Sequence, residues 1–100
     1  MKMNRKTSGE FKASLSLEEP PDVFSVYEKA LWYAGKGDWE QAHTIVQEMN
    51  DRRSAQIHGF IHRQEGDLSN ANYWYERAGS RMPVVSLEEE WEILVAENIS

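Results

Sequence analysis

The sequence contains no cysteine, only three prolines and no long run of apolar residues, and these absences narrow what the protein can be. Without cysteine there are no disulfides and no thiolate ligands for a metal. No apolar segment approaches the roughly 20 residues of a membrane-spanning helix. The first twelve residues also lack the apolar stretch of a signal peptide. We therefore expect a cytoplasmic protein without a membrane partner.

Acidic side chains outnumber basic ones in this sequence. The 100-residue chain has a formal net charge of −6, and the charges are unevenly distributed. Residues 1–12 carry four basic side chains against Glu10, whereas the remainder carries 7 basic and 16 acidic side chains. Because an acidic body repels phosphate backbones, we expect no nucleic-acid partner.

The composition divides the chain into two parts. Residues 1–19 are rich in Ser, Lys and Glu, which predicts a flexible N-terminal tail. The apolar residues Phe11, Leu15 and Leu17 are isolated within it and could dock on the rest of the protein. Residues 20–100 are predicted to form a single helical domain, a size that allows one modest core.

Helical periodicity and capping signals run through this domain. Apolar residues recur at steps of three and four from Val23 to Lys36, with Asp22 as the predicted N-cap. Further helices are predicted over 39–49, 52–65 and 68–80, with Trp39 on the inward face of the first of these. A last helix is predicted after Ser86, which forms a capping-box pattern with Glu89.

One phrase occurs twice, 29 residues apart. Gly37-Asp38-Trp39 followed by Ala42 recurs as Gly66-Asp67-Leu68 followed by Ala71. Glycine suits the left-handed residue that ends a helix, and aspartate caps the next one. A small residue then lets the two helices approach closely. The phrase therefore predicts a repeated helix–turn–helix, with both aspartates in a structural role.

This pattern resembles the tetratricopeptide signature. The first copy is carried by Ala30, Tyr33, Gly37, Asp38, Trp39, Ala42 and Val46, and the second by Gly59, His62, Gly66, Asp67, Leu68, Ala71, Tyr75, Ala78 and Pro83. The resemblance implies an all-α fold of two tetratricopeptide-like hairpins and a C-terminal capping helix in a right-handed superhelix. The copies depart from the family in being 29 rather than about 34 residues apart.

A second resemblance covers a longer string of residues. The string comprises Ala42, His43, Gln47, His58, His62, Arg63, Glu65, Gly66, Asp67, Asn70, Ala71, Tyr73, Trp74, Tyr75, Arg77, Ala78 and Gly79. On these residues the chain is similar to a group of small uncharacterised bacterial proteins, which carry the string almost intact. This similarity implies a common fold and brings no activity with it.

The tetratricopeptide resemblance implies a function in protein binding. Such arrays bind peptides in a groove lined by the first helix of each hairpin. By alignment this groove would expose Phe24, Tyr27, Leu31, Arg53, Gln56, Phe60 and Arg63. Our leading hypothesis is a non-enzymatic interaction module that holds a protein or peptide partner and needs no cofactor. The N-terminal tail or a second copy, in a homodimer, could fill the same groove.

The three histidines support an alternative hypothesis of metal binding or metal-dependent activity. His58 and His62 are four residues apart and share one helix face, a spacing that can chelate a divalent metal. His43 lies on the preceding helix, which in a tetratricopeptide-like array packs directly against this one. All three histidines could therefore converge, with Glu65 or Glu48 as an oxygen ligand. Partly buried histidines bonded to neighbouring carboxylates would explain the same residues without any ion.

An enzyme is not expected. No serine, cysteine or lysine has an evident base beside it in the sequence, and a nucleophile needs such a base or a shifted pKa.

Overall fold

The computed structural model describes residues 7–99, and within this range the chain forms helices and no strand. The protein is therefore all-α, as predicted. The helices are α1 (Ser8–Ala13, followed by a 3-10 turn over Ser14–Ser16), α2 (Val26–Gly35), α3 (Trp39–Val46), α4 (Arg52–Gln64), α5 (Leu68–Arg77) and α6 (Leu87–Asn98).

Side-chain caps fix where these helices begin. The predicted start of α2 at Asp22 is wrong, because Ser25 is the N-cap and exchanges reciprocal hydrogen bonds with Glu28. This box satisfies two backbone N–H groups that would otherwise lack partners. The capping box of Ser86 and Glu89 at α6 is confirmed.

The repeated phrase lies at two corresponding turns. Gly37 joins α2 to α3 with φ of 81°, and Gly66 joins α4 to α5 with φ of 88°. Only glycine adopts this backbone region without steric cost. Asp38 then accepts a hydrogen bond from the N–H of Gln41, and Asp67 accepts one from the N–H of Asn70. The phrase thus ends one helix and starts the next at both places, as predicted.

Helix packing follows chain order. The helices pack in the consecutive pairs α2–α3 and α4–α5, while α6 packs against both α2 and α4. α4 and α5 approach closely at Gly59, where a Cβ atom would lie 3.1 Å from the Tyr75 ring. Trp39, predicted to face inward, is instead 41% exposed.

The N-terminal segment is part of the packed domain, and the prediction of a flexible tail is wrong for residues 7–19. Phe11 on α1 is fully buried, and its ring stacks on Phe24 at 5.0 Å between centroids. Trp32 donates its indole N–H to the Ser14 carbonyl. Lys36 donates to the carbonyls of Leu15 and Leu17. Residues 1–6 of the predicted tail, and Ser100, lie outside the described residues.

Candidate metal centre

Two adjacent helices place the three histidines together. His58 and His62 lie one turn apart on α4, and His43 reaches them from α3. The His43 ring centroid is 4.7 Å from that of His58 and 5.2 Å from that of His62. The rings of His58 and His62 stack at 5.0 Å. The four-residue spacing therefore places His58 and His62 on one face of α4, as predicted, and the packing of α3 on α4 supplies the third ring.

The ligand-capable atoms of this cluster are close enough to share an ion. One nitrogen from each of His43, His58 and His62 can be chosen so that all three lie within 4.8 Å of one another. His58 is 4% exposed and His62 is 9% exposed, whereas His43 is half-buried. His43 is thus the most accessible of the three rings.

Glu65 orients one of the rings. Its Oε1 lies 2.6 Å from Nδ1 of His62, so in neutral His62 the proton is on Nδ1 and the lone pair is on Nε2. A carboxylate held in this way on a metal-binding histidine fixes the tautomer and raises the basicity of the ligand nitrogen. Glu65, predicted as an oxygen ligand, is thus placed to orient the His62 ring through this hydrogen bond.

A second group overlaps the first. His62, Glu65 and Asp67 also bring one ligand atom each within 4.8 Å of the others. Asp67, however, is the N-cap of α5 and accepts hydrogen bonds from both the backbone and the side chain of Asn70. Using it as a ligand would compete with this cap, so the three histidines are the better set.

The electrostatics keep two of the three rings neutral. Burial, together with the nearby His43, His62 and Arg77, lowers the pKa of His58 to about 3. Burial also lowers the pKa of His43, and His62 adds to this effect while Glu65 opposes it. Both rings consequently carry no charge at neutral pH. This is the form in which imidazole binds a metal.

Aromatic side chains flank the histidines on both sides. The Trp74 ring of α5 stacks on His58 at 3.8 Å between centroids and 10° between planes. Trp39 of α3 contacts His43 edge-on at 6.0 Å. The guanidinium of Arg77 lies 5.1 Å from the Trp74 ring centre. The stacking of Trp74 on His58 was not predicted, although a signal exists: Trp74 follows Ala71 by three residues and precedes Ala78 by four, which places it on the inward face of α5.

The predicted groove is closed by the protein's own packing. Phe24, Leu31 and Phe60, expected to line an open surface, are 7%, 0% and 1% exposed and belong to the core. Phe11 covers Phe24, and Trp91 of α6 donates its indole N–H to the Leu31 carbonyl. Apolar side chains at these positions are removed from water by α1 and α6, so the prediction that they form a binding surface is wrong.

The remaining groove residues are engaged elsewhere or only partly exposed. Tyr27 donates its hydroxyl to Asp51, and the Arg53 guanidinium lies 4.5 Å from the Tyr27 ring centre. Gln56 is half-buried. Arg63 donates to the Glu90 carboxylate at 2.7 Å and to the Val85 carbonyl. Its guanidinium therefore ties α4 to α6 instead of facing a partner.

Comparison of the chain with protein-family models, with curated proteins and with solved structures gave no match. Within residues 7–99, no helix has the length and apolar character needed to cross a membrane. Any functional conclusion therefore depends on the geometry of the site itself.

Proposed function

We propose that the protein binds a divalent transition-metal ion, with Zn²⁺ as the reference ion, through His43, His58 and His62. The observation that carries this proposal is the convergence of three imidazole nitrogens within 4.8 Å. These are the only histidines in the sequence. Three imidazoles form a common protein ligand set for zinc, with the fourth position left to water or another ligand.

The surroundings of the cluster support this proposal. Glu65 bonded to Nδ1 of His62 leaves Nε2 available as a ligand. The lowered pKa of His58 and of His43 means that protons do not compete for these rings at neutral pH.

The geometry of a zinc site sets how close the three nitrogens must come. In a tetrahedral site with Zn–N bonds of about 2.0–2.1 Å, the nitrogens are roughly 3.4 Å apart. The three nitrogens lie within 4.8 Å of one another, so any pair near that limit has to move closer on binding. Rotation of the half-buried His43 side chain is the least costly movement, because His58 is held by Trp74 and His62 by Glu65.

The test is Zn²⁺ binding by untagged protein, measured by isothermal titration calorimetry and by elemental analysis after dialysis. We expect one ion per chain. The midpoint temperature of thermal unfolding should rise when zinc is added. At a free zinc concentration 100 times the dissociation constant, the free energy of unfolding should increase by about 2.7 kcal/mol. His43→Gln removes the ligand from α3 without opening the core and should abolish stoichiometric binding.

Glu97→Gln is the matched control, because it removes an exposed carboxylate from α6, a helix that contributes no ligand. This variant should bind zinc like the parent protein. Equal binding by parent and His43→Gln, or no binding by the parent, would refute the proposed function.

We also propose that α2–α3 and α4–α5 are tetratricopeptide-like repeats capped by α6 in a right-handed superhelix. Support comes from the left-handed glycine and the aspartate N-cap at both turns, followed by the fully buried Ala42 and Ala71. Because the groove residues Phe24, Leu31 and Phe60 are buried, this repeat assignment does not itself support partner binding.

A further inference from the structure

A cavity of about 420 Å³ lies where the start of α4 meets the end of α5. It is separate from the histidine cluster, although Trp74 contributes to both. Asn50, Arg52, Arg77 and Gly79 form an exposed rim. The volume is within the range of small-molecule sites in proteins.

The cavity is lined by two arginines that carry no ion pair within residues 7–99. The ion pairs in this part of the chain involve Lys12, His62 and Arg63, and neither Arg52 nor Arg77 lies within 4.0 Å of a carboxylate oxygen there. In a chain with a net charge of −6, acidic partners are plentiful. Two arginines without such partners at one cavity mark a site with unused positive charge.

Most donors of the two guanidinium groups are uncommitted. Arg52 donates Nε–H to the Ala78 carbonyl at 2.9 Å, which fixes its direction and leaves its terminal nitrogens available. Arg77 donates Nη1–H to the Tyr73 hydroxyl at 3.1 Å. Each guanidinium has five N–H donors in a planar fork that matches a carboxylate or phosphate.

The one carboxylate among the residues that line the cavity, Asp51, already accepts hydrogen bonds from within the protein. Asp51 is the N-cap of α4, and its Oδ2 accepts hydrogen bonds from the Tyr27 hydroxyl and from the N–H of Ser54. Burial raises the pKa of Asp51, but these hydrogen bonds outweigh burial and lower it overall. Asp51 thus stays ionised at neutral pH, and the cavity still carries one net positive charge.

We propose that this cavity binds a small organic anion. Its carboxylate or phosphate group would lie between Arg52 and Arg77, and its apolar part would contact the nonpolar lining of Met49, Ala55, Trp74 and Ala78. Charge selects the ligand, because bidentate bonds from arginine to an oxyanion are among the strongest neutral-pH contacts. The apolar wall favours an organic body over a bare inorganic ion.

The test uses benzoate, phenyl phosphate, inorganic phosphate and the neutral analogue benzyl alcohol as probes in NMR titrations of the ¹⁵N-labelled full chain. We expect saturable shifts at Trp74 and Gly79 with benzoate or phenyl phosphate, and the tighter of the two identifies the oxyanion. Arg77→Gln should weaken binding at least about tenfold, the size expected for loss of a charged hydrogen bond. Arg77→Lys keeps the positive charge but loses the planar guanidinium. Its affinity for the anion should lie between that of the parent protein and that of Arg77→Gln.

Arg81→Gln is the matched control, because Arg81 is exposed and lies outside the cavity lining. It should bind like the parent protein. His43→Gln should also bind the anion normally, so this inference stands or fails independently of the metal site. Equal binding of benzyl alcohol, equal weakening by Arg81→Gln, tightest binding of inorganic phosphate, or no saturable binding of either organic anion would each overturn it.

Discussion

At the scale of single residues, two sets of buried ionisable groups differ in their hydrogen-bond partners. Glu90 is 3% exposed and accepts hydrogen bonds from Arg63 at 2.7 Å and from the Tyr75 hydroxyl at 2.6 Å. Burial and this bond to Glu90 raise the pKa of Tyr75, which stays protonated. The histidines have no such countercharge beside His58, so burial keeps that ring neutral. The Glu90 set links α4, α5 and α6, whereas the histidine set brings the neutral rings of His43 and His58 together between α3 and α4.

The lowered pKa of His58 predicts that metal-free protein loses stability in mild acid. The folded-state pKa of about 3 is below the ordinary histidine pKa of 6.5, so below pH 6.5 the unfolded chain binds a proton that the folded chain excludes. Stability is therefore full above pH 6.5 and falls as the pH decreases. Between pH 6.5 and 5 the slope should approach about 1.4 kcal/mol per pH unit for this residue.

Urea unfolding in the presence of a chelator, at several pH values between 5 and 7.5, measures this slope. His43, whose pKa is also lowered, should add to it. His58→Gln has no group to titrate at that position and should show a clearly smaller slope. A parent protein whose stability does not change over this interval would contradict the prediction.

At the scale of secondary-structure elements, the turns between paired helices set the register of the histidine site. Gly66 ends α4 four residues after His62, and Asp67 then starts α5, which carries Trp74 back toward His58. The N–H of Asp67 donates to the His62 carbonyl at 2.9 Å, so the turn is bonded directly to the site. Local turn chemistry therefore positions the aromatic wall of the cluster.

Gly66→Ala should destabilise the protein through its backbone alone. No atom lies within 4 Å of a Cβ built at this position, but φ is +88°. An alanine in this region costs roughly 1–2 kcal/mol. Gly66→Asn is the matched comparison, because asparagine tolerates the left-handed region better. The free energy of unfolding, measured by chemical denaturation, should be highest for the parent protein, lower for Gly66→Asn and lowest for Gly66→Ala. Equal stability of all three proteins would show that a side chain does not strain the turn.

At the scale of the whole molecule, the two ends of the chain complete the core. Phe11 of α1 lies against Phe24 and 5.8 Å from the Trp91 ring of α6. Together these helices cover the surface that a longer repeat array would leave as a groove. The packing of α1 and α6 therefore buries the groove surface that the tetratricopeptide resemblance implied.

Phe11→Ala tests whether the N-terminal segment contributes to folding. Phe11 is fully buried, and a buried phenylalanine truncated to alanine costs about 3–5 kcal/mol. We expect a loss of that order in the free energy of unfolding, measured by urea denaturation. Leu17→Ala, in the same segment but 47% exposed, should change stability by less than about 0.5 kcal/mol. A Phe11→Ala protein as stable as the parent would mean that the segment does not dock.

The sequence by itself determined the local structure. Helical period, the Gly-Asp turns and the capping box of Ser86 depend on residues within one or two turns of each other, so their signals can be read directly from the chain. The same holds for the shared face of His58 and His62. Local prediction was wrong at Asp22, because the adjacent prolines suggested that α2 begins earlier than the Ser25 capping box allows.

Only the tertiary structure decided which surfaces meet. Whether Leu31 and Phe60 line a groove or a core depends on α1 and α6, which are distant in sequence and whose docking no local pattern encodes. The approach of His43 to α4 and the stacking of Trp74 on His58 likewise depend on how three helices pack. Burial and convergence arise from contacts between separate elements, and these contacts turned three scattered histidines into one candidate site.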